Sequence, residues 1–246
     1  EIAQCLVGSE MCIRDSPEEC RRLVDEAPDD KVVMGMLWAC HFQDTCAAFG
    51  MQTCLMNMVA EPEMVHYVDD HIVDFYLKAL KIFLEATKGK VQAILIGDDV
   101  GSQRGLMISP ALISEFVIPG AKKLIDLAHS YGVKVVYHSC GSIVEAIPLL
   151  IEAGVDVIHP IQALAAGMDP ANLKDKFDGK ISFCGGVDTQ DLLPNGTPEQ
   201  VAAKVKELRT YFPTGLIVSP SHEGLQPDVP PSNIKALFDE ATKIYE

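Results

Sequence analysis

The chain has 246 residues, of which 48% are hydrophobic and 22% are charged, and its formal net charge is −15. This composition predicts one globular domain with a sizeable core. The acidic balance argues against a nucleic-acid or anionic-membrane partner, because phosphate contacts need clustered Lys and Arg. No apolar run reaches ~18 residues, so no transmembrane helix is expected. The eight cysteines lack a closely spaced framework, which predicts reduced thiols and a cytoplasmic location.

The first sixteen residues differ in character from the rest of the chain. Residues 6–16 read LVGSEMCIRDS, a run that resembles a translated sequencing adapter, and residues 1–16 are therefore interpreted as a non-native segment. Residues 17–246 are then expected to form one domain that lacks its N-terminal part. An ordinary N-terminal arm is the alternative interpretation.

Hydrophobic periodicity and Gly/Pro punctuation divide the remainder into alternating strands and helices. In chain order the predicted elements are strand 32–37, helices 41–58 and 61–87, strand 91–97, helix 109–131, strand 133–137, helix 142–153, strand 155–161, helix 170–177, strand 181–183, helix 197–212, strand 215–218 and a closing helix after Pro230. Strands that alternate with helices predict a parallel sheet, and crossovers of this length favour closure into a barrel.

The expected fold class is therefore α/β, a (β/α)8 TIM barrel. The sequence supplies about six βα units, whereas a complete barrel has eight in typically ~250 residues. The barrel is accordingly expected to be incomplete, and the adapter-like start accounts for the missing units.

The strongest chemical signal lies at the end of strand 133–137. His138 and Cys140 follow directly, and residues two apart on a strand share a face, so an imidazole and a thiol can converge on one point. A soft divalent ion such as zinc accepts both ligand types. The alternative is a buried His and a buried Cys that only pack at the strand end.

A second candidate follows strand 91–97. Asp98 and Asp99 stand at its end, where α/β enzymes place binding and proton-transfer groups, and Gly101 allows a close backbone approach. A turn with Asp at a capping position explains the same residues equally well.

Several blocks together resemble the uroporphyrinogen decarboxylase superfamily, which includes decarboxylases and zinc-dependent corrinoid methyltransferases. The blocks are 97–103 (GDDVGSQ), 107–110 (MISP), 138–141 (HSCG), 185–188 (GGVD), 219–222 (SPSH) and 230–234 (PPSNI). The resemblance covers the chain from Pro17 onward and implies a (β/α)8 barrel whose site lies at the C-terminal ends of the strands.

The resemblance to the methyltransferase members implies a zinc site. Those members hold zinc with a His-x-Cys pair, which His138 and Cys140 match, and with a Cys after the last strand. This sequence departs there, because Pro220-Ser221 is followed by His222 and Glu223. His222 is taken as the third ligand, with Glu223 as its alternative, and Gln162 as a further possible oxygen donor.

The implied reaction moves a methyl group between a corrinoid, carried by a partner protein, and a small thiol acceptor held by zinc. Asp98 and Asp99 would be the catalytic carboxylates that orient the acceptor or tune the metal. The expected substrate-binding residues are Gln103, Arg104, Gln162 and Asp188, although Asp188 more simply caps a turn.

Two alternatives stay open. A uroporphyrinogen decarboxylase of porphyrin biosynthesis would need no cofactor; it would use Asp98 or Asp99 to bind pyrrole N–H groups and protonate the intermediate, with Arg104 as a cation for substrate carboxylates. The His-x-Cys pair argues against it. The other alternative is an inactive fragment of an incomplete barrel, whose open sheet edge would favour aggregation.

Overall fold

The computed structural model describes residues 16–243, so the adapter-like segment lies outside the described residues except for its last position. The elements are α1 Ser16–Asp25, β1 Met34–Met36, α2 His41–Phe49, α3 Met51–Ala60, α4 Pro62–Ala86, β2 Ala93–Gly97, α5 Pro110–Leu112, a π-helical turn Ile113–Val117, α6 Ile118–Ser130, β3 Lys134–His138, α7 Ile147–Ala153, β4 Val157–Ile161, α8 Pro170–Phe177, β5 Ser182–Val187, α9 Leu192–Asn195, α10 Pro198–Tyr211, β6 Leu216–Pro220 and α11 Pro231–Ala241.

The described chain divides into two compact units. The first contains residues up to 99, 108–138 and 148–156, and the second contains residues 100–107, 139–147 and those from 157 onward. Each unit is built around three parallel strands in sequence order, β1-β2-β3 in the first and β4-β5-β6 in the second. The six strands alternate with helices, so the predicted α/β class, a TIM-type barrel with six βα units instead of eight, is confirmed.

The core of the first unit forms where one face of α4 meets α2 and α6. Its apolar positions recur at helical spacing, so one stripe of the helix is removed from water. The buried members from α4 and from strands β2 and β3 include Val65, Val73, Leu80, Leu84, Ile94, Leu95, Ile96, Val135 and Val136.

The helical region before α4 is divided differently from the sequence prediction. A single helix over 41–58 was expected, but α2 ends at Phe49 and α3 begins at Met51. Gly50 separates them with φ +82°, a left-handed conformation that glycine adopts without steric cost. The prediction was wrong here because a glycine inside a helical pattern does not by itself reveal its backbone angle.

The predicted helix 109–131 is present, with one irregularity. Ser109 caps its start by accepting a hydrogen bond from the Leu112 N–H at 3.3 Å. A π-helical turn follows, in which the Ile118 N–H reaches back to the Ile113 carbonyl. Pro119 lies one residue further on, where it lacks an N–H and its ring crowds the preceding turn, so a widened turn relieves the clash.

The second unit buries a smaller cluster under α10 and α11. Its fully buried members are Val187, Leu193, Val201, Val205 and Leu208, together with Leu237 at 1% exposure. Thr197 and Gln200 form a capping box that starts α10, as expected from a hydroxyl residue followed by proline.

Two element boundaries in the second unit differ from prediction by about four or five residues, and the others differ less. The helix expected over 142–153 begins only at Ile147, because the Ser142 hydroxyl donates to the Ala166 carbonyl at 2.6 Å and its N–H donates to the Ser102 carbonyl at 2.7 Å. The strand expected over 181–183 extends to Val187. In the part of the chain that the structure describes, no helix is long and apolar enough to cross a bilayer.

The close packing of β2 on β3 gives a direct test of the fold. Gly97 pairs with His138, and a Cβ at Gly97 would lie 2.0 Å from the His138 carbonyl oxygen. We expect Gly97→Ala to lower the free energy of unfolding by about 2–4 kcal/mol, because overlap with backbone cannot be relieved by a side-chain rotation. Urea denaturation measures the change.

Gly105→Ala is the matched control, since a Cβ at Gly105 meets nothing within 4 Å. Its free energy of unfolding should stay within about 0.5 kcal/mol of the unsubstituted protein. Equal stability of the two variants would contradict the claim that β2 and β3 are too close at Gly97 to admit a side chain.

Candidate functional site

In the first unit the candidate residues lie at the ends of neighbouring strands. Asp98 and Asp99 directly follow β2, and His138 is the last residue of β3. Because parallel strands end at the same edge of a sheet, the two carboxylates and the imidazole come to the same edge. The missing side chain at Gly97 allows the two strand ends to approach this closely.

His138 is held between a carboxylate and an indole. Its ring is 2% exposed, and its Nε2 lies 3.4 Å from Oδ1 of Asp99. The ring centroid lies 4.9 Å from that of Trp38, with the planes inclined at 53°. A buried imidazole with a carboxylate beside one nitrogen resembles the arrangement that orients histidine ligands in metal sites.

Asp98 and Asp99 are neighbours in sequence but differ in environment. The Asp99 side chain is 33% exposed, whereas Asp98 is fully buried. Oδ1 of Asp98 accepts a hydrogen bond from the Gln43 N–H at 3.0 Å, in the first turn of α2, where Cys40 supplies no side-chain cap. Asp98 therefore caps the distant helix α2, whereas the alternative from the sequence was a cap on its own turn.

Burial raises the pKa of Asp98 to about 7, and the nearby His41 partly offsets this rise. The carboxylate and the imidazole approach within 3.5 Å through Oδ2 and Nε2. Near pH 7 Asp98 is close to the midpoint of its titration, because water cannot solvate the charged form.

His41 is a buried residue that the sequence reasoning missed. Its Nδ1 lies 2.7 Å from Oδ1 of Asp69, and its Nε2 lies 3.1 Å from the Val117 carbonyl. Burial by itself lowers the pKa of His41, but the carboxylates of Asp98 and Asp69 outweigh it and the pKa is raised. Asp69 was the available signal, since it interrupts the apolar stripe of α4 and a buried carboxylate needs a partner.

The second unit brings Cys140, His222 and Glu223 together. One ligand atom from each lies within 4.8 Å of the others. Cys140 follows β3 and is partly buried, while His222 and Glu223 follow β6 and are exposed by 41% and 36%. The thiol and both candidates for the third ligand therefore lie in one cluster.

The ring of His222 has two hydrogen-bonding choices. Its Nδ1 accepts from the Gly224 N–H at 3.0 Å, or donates to the Gly224 carbonyl at 3.3 Å. In the second tautomer Nε2 carries the free lone pair, which is the form that a metal ion binds.

The loop after Asp99 supports Cys140. A Cβ at Gly101 would lie 2.6 Å from the Cys140 carbonyl oxygen, so this backbone approach requires glycine. The Val100 N–H donates to the Ser139 hydroxyl at 3.2 Å. The two loops are therefore packed closely at the backbone of Cys140.

The side-chain oxygen of Gln162 already accepts two hydrogen bonds. Oε1 accepts hydrogen bonds from Nε2 of Gln103 and from the Gly141 N–H, both at 3.0 Å. The amide nitrogen is thus the group that Gln162 offers to a ligand, which favours a substrate donor over the oxygen ligand that the sequence suggested. Arg104 is exposed in the same loop as Gln103.

The Asp188 carboxylate accepts hydrogen bonds from the turn that directly follows it. Its Oδ1 accepts from the Gln190 N–H at 3.0 Å, and its Oδ2 accepts from the Asp191 and Leu192 N–H groups at 2.8 Å. These hydrogen bonds cap the start of α9. None of these contacts supports the predicted substrate-binding role of Asp188. The turn-capping alternative describes Asp188 as the structure places it.

The buried Asp98 predicts a pH dependence. Its folded pKa of about 7 lies above its value of 3.8 in model peptides, so between these values the folded protein binds more protons than the unfolded chain. The free energy of unfolding should fall by at least about 1 kcal/mol from pH 5 to pH 8. Asp98→Asn should flatten this fall, because Asn keeps an oxygen for the Gln43 N–H but carries no charge.

Urea denaturation at several pH values measures the slope. Asp74→Asn, at an exposed position of α4, is the control and should retain the slope of the unsubstituted protein. If the free energy of unfolding of the unsubstituted protein does not change with pH, the assignment of a raised pKa to Asp98 is contradicted.

Comparison with known proteins agrees with this architecture. A solved methyltransferase from Methanosarcina mazei superposes with a TM-score of 0.73 at 17% identity, covering 92% of this chain and 62% of the other. Two curated relatives from Methanosarcina mazei are a methylated-thiol:coenzyme M methyltransferase, 27% identical over 150 residues, and a methylcobamide:CoM methyltransferase, 24% identical over 152 residues.

These matches cover 60% and 62% of this chain but only 36% and 42% of the two relatives. The chain therefore spans about two fifths of the length of the curated relatives that it matches. The family model for uroporphyrinogen decarboxylase (URO-D) matches residues 16–244, nearly the whole chain, and the chain belongs to this family.

Proposed function

We propose that this chain acts as a zinc-dependent methyltransferase, which moves a methyl group between a corrinoid carrier and a thiol acceptor. The observation that carries the proposal is the cluster of Cys140, His222 and Glu223, whose ligand atoms lie within 4.8 Å of one another. The curated relatives support the reaction class, since both are coenzyme M methyltransferases and one is named for methylcobamide.

The donor set of the cluster fits zinc. A thiolate, an imidazole and a carboxylate are the three ligand types that zinc accepts in proteins. His138 precedes Cys140 by two residues, and covalent geometry alone limits their Cα separation to about 7 Å. We therefore assign His138, Cys140 and His222 as ligands, with Glu223 as the alternative third ligand.

When bound, zinc would supply a Lewis acid that lowers the pKa of an acceptor thiol. For zinc to bind, Cys140 and His222 must each be in the right protonation state. Cys140 must lose its proton, and His222 must adopt the tautomer in which Nδ1 donates to the Gly224 carbonyl and Nε2 is available. Asp99 stands beside His138 and keeps that ring in one orientation.

The set contains one cysteine, whereas the resemblance implied two. One thiolate leaves the bound ion with a greater net positive charge than two would. An acceptor thiolate would then be held more strongly but would be less nucleophilic. Glu223 would restore one negative charge if it replaced or joined His222.

Substrate contacts come from the loops beside the cluster. Gln103, Arg104 and Gln162 are the proposed binding residues, because Arg104 is an exposed cation and Gln162 offers an amide N–H. Of the two aspartates, Asp99 is the proposed catalytic carboxylate. The buried Asp98 is proposed to stabilise the start of α2. A corrinoid-binding protein is the proposed partner, and the net charge of −15 argues against nucleic acid.

The proposal predicts one zinc ion per chain. Metal analysis by inductively coupled plasma mass spectrometry should find stoichiometric zinc in the full chain, and Cys140→Ala or His222→Ala should lose most of it, because each removes a ligand. Cys184→Ala is the control. Its thiol belongs to a residue within β5, and its Sγ contacts the Ser219 hydroxyl at 3.4 Å, so zinc should be retained.

Other outcomes separate the competing hypotheses. Metal-free protein that consumes a porphyrinogen would replace the proposal with a decarboxylase, in which Asp98 or Asp99 protonates the intermediate. Protein that binds no zinc and turns over neither substrate would be an inactive fragment. Zinc that remains stoichiometric in Cys140→Ala would show that the assigned ligands are wrong.

A further inference from the structure

The first unit contains a buried polar chain that no step of the proposed reaction uses. His41 lies at its centre, with Asp69 at 2.7 Å from Nδ1 and the Val117 carbonyl at 3.1 Å from Nε2. Thr45 adds a hydroxyl donor to Oδ1 of Asp69 at 3.1 Å. Both ring nitrogens therefore face acceptors, which fixes the plane of the imidazole.

Close packing immobilises this ring further. A Cβ at Gly120 would lie 2.6 Å from Cε1 of His41, so α6 passes directly against the imidazole. The ring is held by α4, by the π-helical turn and by α6 together. The start of α2, which carries His41 and Gln43, is thus a rigid platform.

Gln43 connects this platform to the Asp98 carboxylate and to the Asp99 backbone. Its backbone N–H donates to Oδ1 of Asp98 at 3.0 Å. Its side-chain Oε1 accepts from the Asp99 N–H, also at 3.0 Å. One residue therefore binds two successive residues of the loop after β2, one through the backbone and the other through the side chain.

This double contact determines where the Asp99 side chain points. Oε1 of Gln43 holds the N–H of the peptide between Asp98 and Asp99, and the Gln43 N–H holds the Asp98 side chain. Strand β2 is paired with β3 at Gly97 and His138. With the peptide fixed, the Asp99 carboxylate lies 3.4 Å from Nε2 of His138. Removal of Oε1 takes this acceptor away from the Asp99 N–H, so the peptide is held less firmly.

We propose that Gln43 is a positioning residue, which orients the Asp99 carboxylate against His138. The geometric part stands on the described contacts alone, whereas its consequence for zinc rests on the proposed function. Gln43 touches neither His138 nor the cluster around Cys140 in the described contacts, and it acts through Asp99.

The substitution Gln43→Met tests the role, because Met has a similar length and keeps the backbone N–H but removes the acceptor Oε1. Gln43→Glu restores an acceptor at a partly exposed position. Gln52→Met, at an exposed position of α3, is the matched control. All variants are made in the full chain, and circular dichroism checks that each is folded.

The first readout is the imidazole nitrogen spectrum of the metal-free protein, recorded by two-dimensional NMR. The His138 resonances should shift in Gln43→Met, return toward their original positions in Gln43→Glu and stay unchanged in Gln52→Met. His129, whose Nε2 lies 2.8 Å from Asp156, is an internal reference that should not move. Resonances of His138 that are identical in all variants would overturn the proposal.

The second readout is the zinc dissociation constant, measured by competition with a chromophoric chelator. We expect Gln43→Met to weaken zinc binding on the order of tenfold, as outer partners of metal ligands do, and Gln43→Glu to recover most of the loss. If the His138 resonances shift in Gln43→Met but the protein binds no zinc, the positioning role of Gln43 is supported and the proposed function is contradicted. Stoichiometric zinc with an unchanged dissociation constant and unmoved resonances would refute only the role of Gln43.

Discussion

The contact between Gly97 and His138 is the constraint on which the first unit depends. A side chain at Gly97 would overlap the His138 backbone, so only glycine allows β2 and β3 to end side by side. This approach sends the chain after β2 past the imidazole. The positions of Asp98, Asp99 and the start of α2 all follow from it.

The two carboxylates after β2 have separate tasks because they experience different solvation. Removing a carboxylate from water is costly unless donors compensate it. Asp98 receives the Gln43 N–H and lies near His41, so it stabilises the start of α2 from the interior. Asp99 is partly exposed beside His138, which leaves it as the carboxylate able to meet a substrate or tune a ligand.

The second unit combines rigid backbone with exposed ligand groups. Cys140 is supported by the glycine-dependent approach of the loop at Gly101, whereas His222 and Glu223 are partly exposed after β6. A supported Cys140 backbone and an accessible imidazole are what the proposed zinc site would need to admit a small acceptor. Membership of the URO-D family places this arrangement in a fold whose chemistry lies at the strand ends.

The sequence by itself determined the alternation of strands and helices, the α/β class and the placement of His138 and Cys140 at a strand end. These features are local, because hydrophobic periodicity and turn residues act over a few neighbouring positions. Only the tertiary structure decided that Asp98 is buried while Asp99 is not, and that His41 pairs with Asp69. It also decided that His222 lies beside Cys140. The physical reason is that depth of burial and contact between distant segments arise from packing, which no local pattern encodes.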